Sequence, residues 1–176
     1  MYSNVVTIYN YHIKTSKVLS LKSKHKVIIM KLFHTSPVEI KKITKNGMFG
    51  DCLFFALRPY SLGDIVNIYS VDASEMSFVS ASSLYDEEIV SRIAKCLAVD
   101  LDVAESLLDG SETVLDIDVD MEKAEIDWWI QELRGECAKK MGYDGCEDED
   151  EQGSVYIIPM FGREEILVLE GDDWND

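Results

Sequence analysis

Residues 31–57, KLFHTSPVEIKKITKNGMFGDCLFFAL, decide the fold. An apolar run from Val27 to Phe33 predicts a strand, and three hydrogen-bonding side chains, His34, Thr35 and Ser36, stand where it gives out. Strand ends on a rigid scaffold are common places for ligand-contacting groups. Ser36-Pro37-Val38-Glu39 has the form of a capping box, with Ser36 at the cap, Pro37 pre-set for the first helical position and Glu39 able to reach back to the cap amide. A helix is therefore expected, with Val38, Ile40 and Ile43 on its inner side. Lys41, Lys42 and Lys45 suit its last turn, and Gly47 can end it in the left-handed conformation. Cys52 to Leu57 is apolar throughout behind Gly50-Asp51, which predicts a buried second strand. Strand, polar bend, helix, glycine turn and strand together read as a ligand cradle.

Working outward, Arg58 to Asp64 contains Pro59 and Gly63 and reads as a loop that leaves Tyr60 free to fold over a ligand. Ile65 to Asp72 alternates as a strand. Asp86 to Leu97 places Ile89, Val90, Ile93, Ala94 and Leu97 on one helical face, and a second helix runs from Leu101 to Leu108 before Gly110. The acidic connection Ser111 to Asp120 imitates the start of a calcium loop, but Met121 stands where a sharp turn needs glycine, so a solvated charge run is expected. The longest helix is predicted from Glu122 to Met141, with Ile126, Trp129, Ile130, Leu133, Cys137 and Met141 on one side and Gly142 at its end. Gly142-Tyr143-Asp144-Gly145 then leads into an acidic strand over 146–151, a Gln152-Gly153 turn and an aromatic strand from Ser154 to Pro159, which reads as a hairpin beside the cradle.

A chain of 176 residues with 47% hydrophobic content can bury one sizeable core, which favours a single domain. Residues 1–29 hold five lysines and no acid, whereas all 33 acidic residues follow. That shift predicts either a basic N-terminal extension upstream of a domain over 30–176, or an edge strand from Asn4 to Tyr11 followed by a basic linker. The net charge of −16 disfavours nucleic-acid phosphate and anionic membrane as partners and favours a basic protein surface. It also admits a second function class, an acidic mimic of nucleic acid that binds a DNA-binding protein without chemistry. Cys52, Cys96, Cys137 and Cys146 lack zinc-site spacing and predict reduced thiols, so neither a metal nor a disulfide framework is expected. Without a membrane-length apolar run or a signal-peptide pattern, a cytoplasmic location is expected. G-x-G-x-x-G and G-x-S-x-G are both absent, which removes the Rossmann and serine-hydrolase readings.

The paired segments, a strand ending in His34-Thr35-Ser36 with a second strand ending in Phe54-Phe55-Ala56, and the late hairpin after Gly142-Tyr143-Asp144-Gly145, resemble the ADP-ribosyltransferase fold of the poly(ADP-ribose) polymerase-like branch. They are most similar to the small phage anti-CRISPR ADP-ribosyltransferases directed at type I-F surveillance complexes, over roughly Met30 to Pro159. The resemblance implies an α+β fold: a split β-sheet core, an inserted helical hairpin, and a long helix before the C-terminal hairpin. It implies NAD as substrate, no metal, and mono-ADP-ribosylation of a host protein. By analogy the target is the subunit of a type I surveillance complex that reads the short motif beside the target DNA, in the host cytoplasm. His34 and Ser36 would take ribose hydroxyls, the His34-Thr35 backbone the nicotinamide amide, and Phe55 or Tyr60 would stack on the ring. The catalytic acid would be Asp150 or Glu151, since Asp150-Glu151-Gln152-Gly153 matches the family's Asp-Glu-His-Gly segment. This chain departs from many relatives in having Val155, not glutamate, before the aromatic Tyr156. An NAD-binding fold without catalysis is a further reading of the same residues.

Overall fold

The computed structural model describes residues 30–47, 49–60, 67–119, 121–150 and 153–170. Both readings of the basic segment 1–29 lie outside the described residues. The order is β1 (Lys31–Ser36), β2 (Cys52–Ala56), β3 (Asn67–Asp72), β4 (Phe78–Ser80), α1 (Glu87–Leu97), α2 (Leu101–Asp109), α3 (Lys123–Lys140), β5 (Gly145–Asp150), β6 (Gly153–Pro159) and β7 (Val168–Leu169). The strands form one sheet in the order β4-β5-β6-β2-β1-β3-β7. Only the β4–β5 pair is parallel among the described strands. This is the α+β architecture expected from the sequence, with the helical hairpin and the long helix in their predicted places.

The alternation along β2 sends its side chains to two cores. Cys52 and Phe54 face the helices, where Ile93, Leu108, Ile130, Leu133 and Ile157 pack, while Leu53 and Phe55 face a smaller core with Leu32, Val71, Ile158 and Met160. Helix α3 crosses the sheet closely because Gly135 lacks a side chain: a Cβ there would lie 2.5 Å from Cys52 Sγ and 3.2 Å from Ile157 Cγ2. The helices are tied together at their ends. Asp86 caps α1 by accepting from the Ile89 amide at 2.9 Å, and Lys140 at the end of α3 pairs with Asp86 and Glu88. Trp129 packs against the helical core, as its helical spacing predicted. β4 and β7 carry no clear sequence signal, being three and two residues long.

One element differs from expectation. Residues 37–47 are not helical. Ser36 stays in β1, paired with Asn67, and its hydroxyl donates to the Val38 carbonyl at 2.7 Å while accepting from the Val38 amide, a local turn in place of a helix cap. Distant side chains then claim the donors a helix would have used: the Ile40 amide donates to Tyr69 Oη at 2.7 Å and the Ile43 amide to Glu164 Oε1 at 3.1 Å. So short a helix is marginal by itself, and tertiary anchoring overrides its capping signal. Strand β1 correspondingly runs farther than predicted, so that His34, Thr35 and Ser36 are strand residues.

Candidate active site

The sheet is fully laddered on both sides of a gap. β1 pairs with β3 from Lys31↔Asp72 to Ser36↔Asn67, and β2 with β6 from Cys52↔Pro159 to Ala56↔Val155. Between β1 and β2 the register has a single pair, Phe33↔Ala56, beyond which the strands part. The His34 ring spans the opening: its Nδ1 is 2.8 Å from the Phe54 carbonyl oxygen. A carbonyl can only accept, so Nδ1 carries the proton and Nε2 of the neutral ring is left as an acceptor. Burial lowers the His34 pKa, and the bond to the Phe54 carbonyl only partly offsets this.

The parted strands wall a cleft of about 520 Å³, lined by His34, Thr35, Ser36, Pro37, Phe49, Phe54, Ala56, Tyr60, Asp150, Ser154 and Val155. Its size and its mixture of aromatic faces with a few convergent polar groups suit a small-molecule ligand. The Thr35 hydroxyl is buried in the wall, at 3% residue exposure, and has no partner at hydrogen-bond geometry among the described residues. It nevertheless lies near the Tyr60 phenol. Burial raises the Tyr60 pKa, the Thr35 hydroxyl opposes that rise, and the Asp150 charge adds to it. Tyr60, Thr35 and Asp150 thus meet in one place although they lie up to 115 positions apart in the chain.

Each sequence-derived candidate has a definite place. His34, Thr35, Ser36, Tyr60 and Asp150 all line the cleft. Phe55 does not: it is fully buried in the smaller core, touching the His34 ring at 5.7 Å between centroids, and Phe54 presents its ring to the cleft instead. Phe49, which carries no motif in the sequence, packs against Phe54 with tilted rings 4.4 Å apart between centroids. Its position just before Gly50-Asp51 was the available signal. Glu151 lies outside the described residues. Two other acids of the run have partners outside this cleft: Tyr156 Oη donates to Glu147 at 2.9 Å, and Asp148 is ion-paired with Arg134. Among the described residues Asp150 is the acid that lines the cleft. It also lines a second cavity of about 300 Å³ between the hairpin, α3 and the end of α2, which shares Phe54 and Val155 with the first.

A histidine where two strands part and a hairpin carboxylate thus line one aromatic cleft. A family profile described as Anti-CRISPR Type I-F ADP-ribosyltransferase AcrIF11 matches residues 30–164. The chain belongs to this family. An experimental structure titled "Crystal structure of an anti-CRISPR protein" is similar, with 25% identity and a TM-score of 0.50, covering 81% of this chain and 95% of that one. No curated protein matches. As a member of the AcrIF11 family the chain is an NAD-dependent ADP-ribosyltransferase of anti-CRISPR type, with NAD as substrate and a host protein as acceptor. Membership decides between the transferase and the acidic mimic in favour of the transferase. Among the described residues, no cluster of three or more potential metal ligands occurs, and no helix is long and apolar enough to cross a membrane.

Proposed function

We propose that the cleft between β1 and β2 binds the nicotinamide riboside end of NAD and that Asp150 is the catalytic carboxylate for transfer of one ADP-ribose to a basic, nucleic-acid-binding host protein. What supports this reading most is that His34 and Asp150 line the same cleft. His34 Nε2 and the Ser36 hydroxyl suit ribose hydroxyls. Thr35 offers a buried hydroxyl beside the Tyr60 phenol, and Phe54, Phe49 and Tyr60 offer flat surfaces for the nicotinamide ring.

In the reaction the bond between the ribose anomeric carbon and the nicotinamide nitrogen breaks, its electron pair leaving with nicotinamide, which becomes neutral. Positive charge develops on the sugar, and a fixed carboxylate beside it stabilises that charge in the transition state more than in the ground state. An acceptor side chain then forms the new bond to the anomeric carbon and gives up a proton. The acceptor is assigned by analogy to the subunit that reads the short motif beside the DNA target, in the host cytoplasm. ADP-ribose on its DNA-contacting surface would add bulk and negative charge and repel phosphate.

Intact-mass measurement of a type I-F surveillance complex incubated with the protein and NAD tests both parts. One ADP-ribose increment on the motif-reading subunit is expected, and Asp150→Ala should slow its appearance by about a hundredfold or more. A modified lysate protein with an unmodified complex would discard the target and keep the enzyme. Full activity of Asp150→Ala would move the catalytic role to another acid.

A further inference from the structure

Among the described residues, the strand that carries Asp150 pairs with its outer neighbour β4 only as far as Glu147. Among the described strands β4 accompanies β5 only from Phe78↔Gly145 to Ser80↔Glu147, and Asp148, Glu149 and Asp150 ladder with β6 on the other side. Glu147 to Asp150 is also four consecutive acids, whose mutual repulsion works against a fixed strand end. A catalytic carboxylate needs its position held closely, since a small misplacement of a reacting group costs rate steeply.

The tether comes from α3. Arg134, with only 12% of its side chain exposed, uses all three guanidinium nitrogens: Nε donates to the Leu108 carbonyl at 3.0 Å, Nη2 to the Leu107 carbonyl at 3.0 Å, and Nη1 to Asp148. The two carbonyls belong to the last turn of α2, where helix acceptors lack intrahelical partners. Asp148 and Asp150 are two apart on one strand and point to the same face. The guanidinium fork thus ties Asp148 of β5 to two helices at once, a geometry that a lysine ammonium cannot reproduce. Gly110 leaves the room for it, because a Cβ there would lie 3.2 Å from Nη2.

We infer that Arg134, acting through Asp148, is a positioning residue that holds Asp150 in register with the cleft. The inference rests on the assignment of Asp150 above. The full chain and its Asp148→Ala, Asp148→Asn, Arg134→Lys and Asp150→Ala variants would be compared by NAD-dependent transfer kinetics. Calorimetric titration with NAD would give binding stoichiometry and affinity for each. In Asp148→Ala and Arg134→Lys we expect one NAD per chain, a dissociation constant within about twofold of wild type, and kcat reduced about tenfold. Asp148→Asn keeps an acceptor for Arg134 and should recover part of the rate. Wild-type kcat in Asp148→Ala, or a loss of kcat that only follows a loss of NAD stoichiometry or affinity, overturns the inference. Should Arg134→Lys fail to fold, Asp148→Ala decides, because it leaves both Arg134 bonds to α2 in place. Asp150→Ala separates the two levels: if that variant turns over normally, the assignment beneath the inference is what fails.

Discussion

Thr35 and His34 sit side by side on β1 and predict effects of different kinds. The Thr35 hydroxyl is buried without a partner at hydrogen-bond geometry among the described residues, so it costs stability in the unliganded protein. Thr35→Val keeps the shape and removes that cost. It should raise the unfolding free energy by about 1 kcal/mol while weakening NAD binding, a trade of function for stability read by thermal melts and titration. His34 gives a pH signature. Its folded-state pKa lies below the ordinary value of 6.5 because burial disfavours the charged ring. Between those two values the unfolded chain binds more protons than the folded one, so this residue makes stability fall as pH drops through that window. Urea unfolding at about pH 7 and about pH 5 should show a smaller loss in His34→Gln than in wild type. An equal loss in both proteins would mean that His34 carries no such linkage.

At the scale of elements, the segment after β1 shows how tertiary partners displace a local preference. Val38, assigned to the inner side of a helix, is 65% exposed, while Ile43 is buried beside Leu32 and Met160. The chain is held extended by Tyr69 from β3 and Glu164 from the C-terminal segment, and in that path Ser36 and Pro37 line the cleft. Tyr69 is itself 4% exposed, so Tyr69→Phe would leave its phenyl packing intact and orphan the Ile40 amide. A stability loss of about 1 kcal/mol is expected from chemical denaturation, with NAD affinity reduced as the cleft wall loosens. Unchanged stability would show that water replaces the phenol at no cost.

For the whole molecule, charge and topology act on different steps. A net charge of −16 attracts a basic target from a distance, and that attraction is screened within about 10 Å at ordinary salt. Raising salt from about 50 to about 300 mM should therefore lower kcat/KM for the protein acceptor several-fold. NAD affinity, set inside the cleft, should change much less over the same range. Parallel losses of both would place the salt effect in the active site and remove steering from the account.

The sequence by itself determined the two strands of the cradle, the helical hairpin, the long α3 and the late hairpin, because hydrophobic period, glycine stops and capping residues are local signals. It also named the cleft residues His34, Thr35, Ser36, Tyr60 and Asp150, through motifs at the two ends of the domain. Only the tertiary structure decided which face of β2 each ring takes. The choice of Phe54 over Phe55 is a matter of sheet register, and a one-residue slip exchanges the two faces. Tertiary structure likewise turned a capping box into an anchored loop, since Tyr69 and Glu164 lie far along the chain from the amides they hold. It also drew Asp148 to Arg134 and brought Asp150 to the cleft that His34 lines. Which acid of such a run meets an arginine and which lines a cleft depends on what packs across from it, and that is non-local.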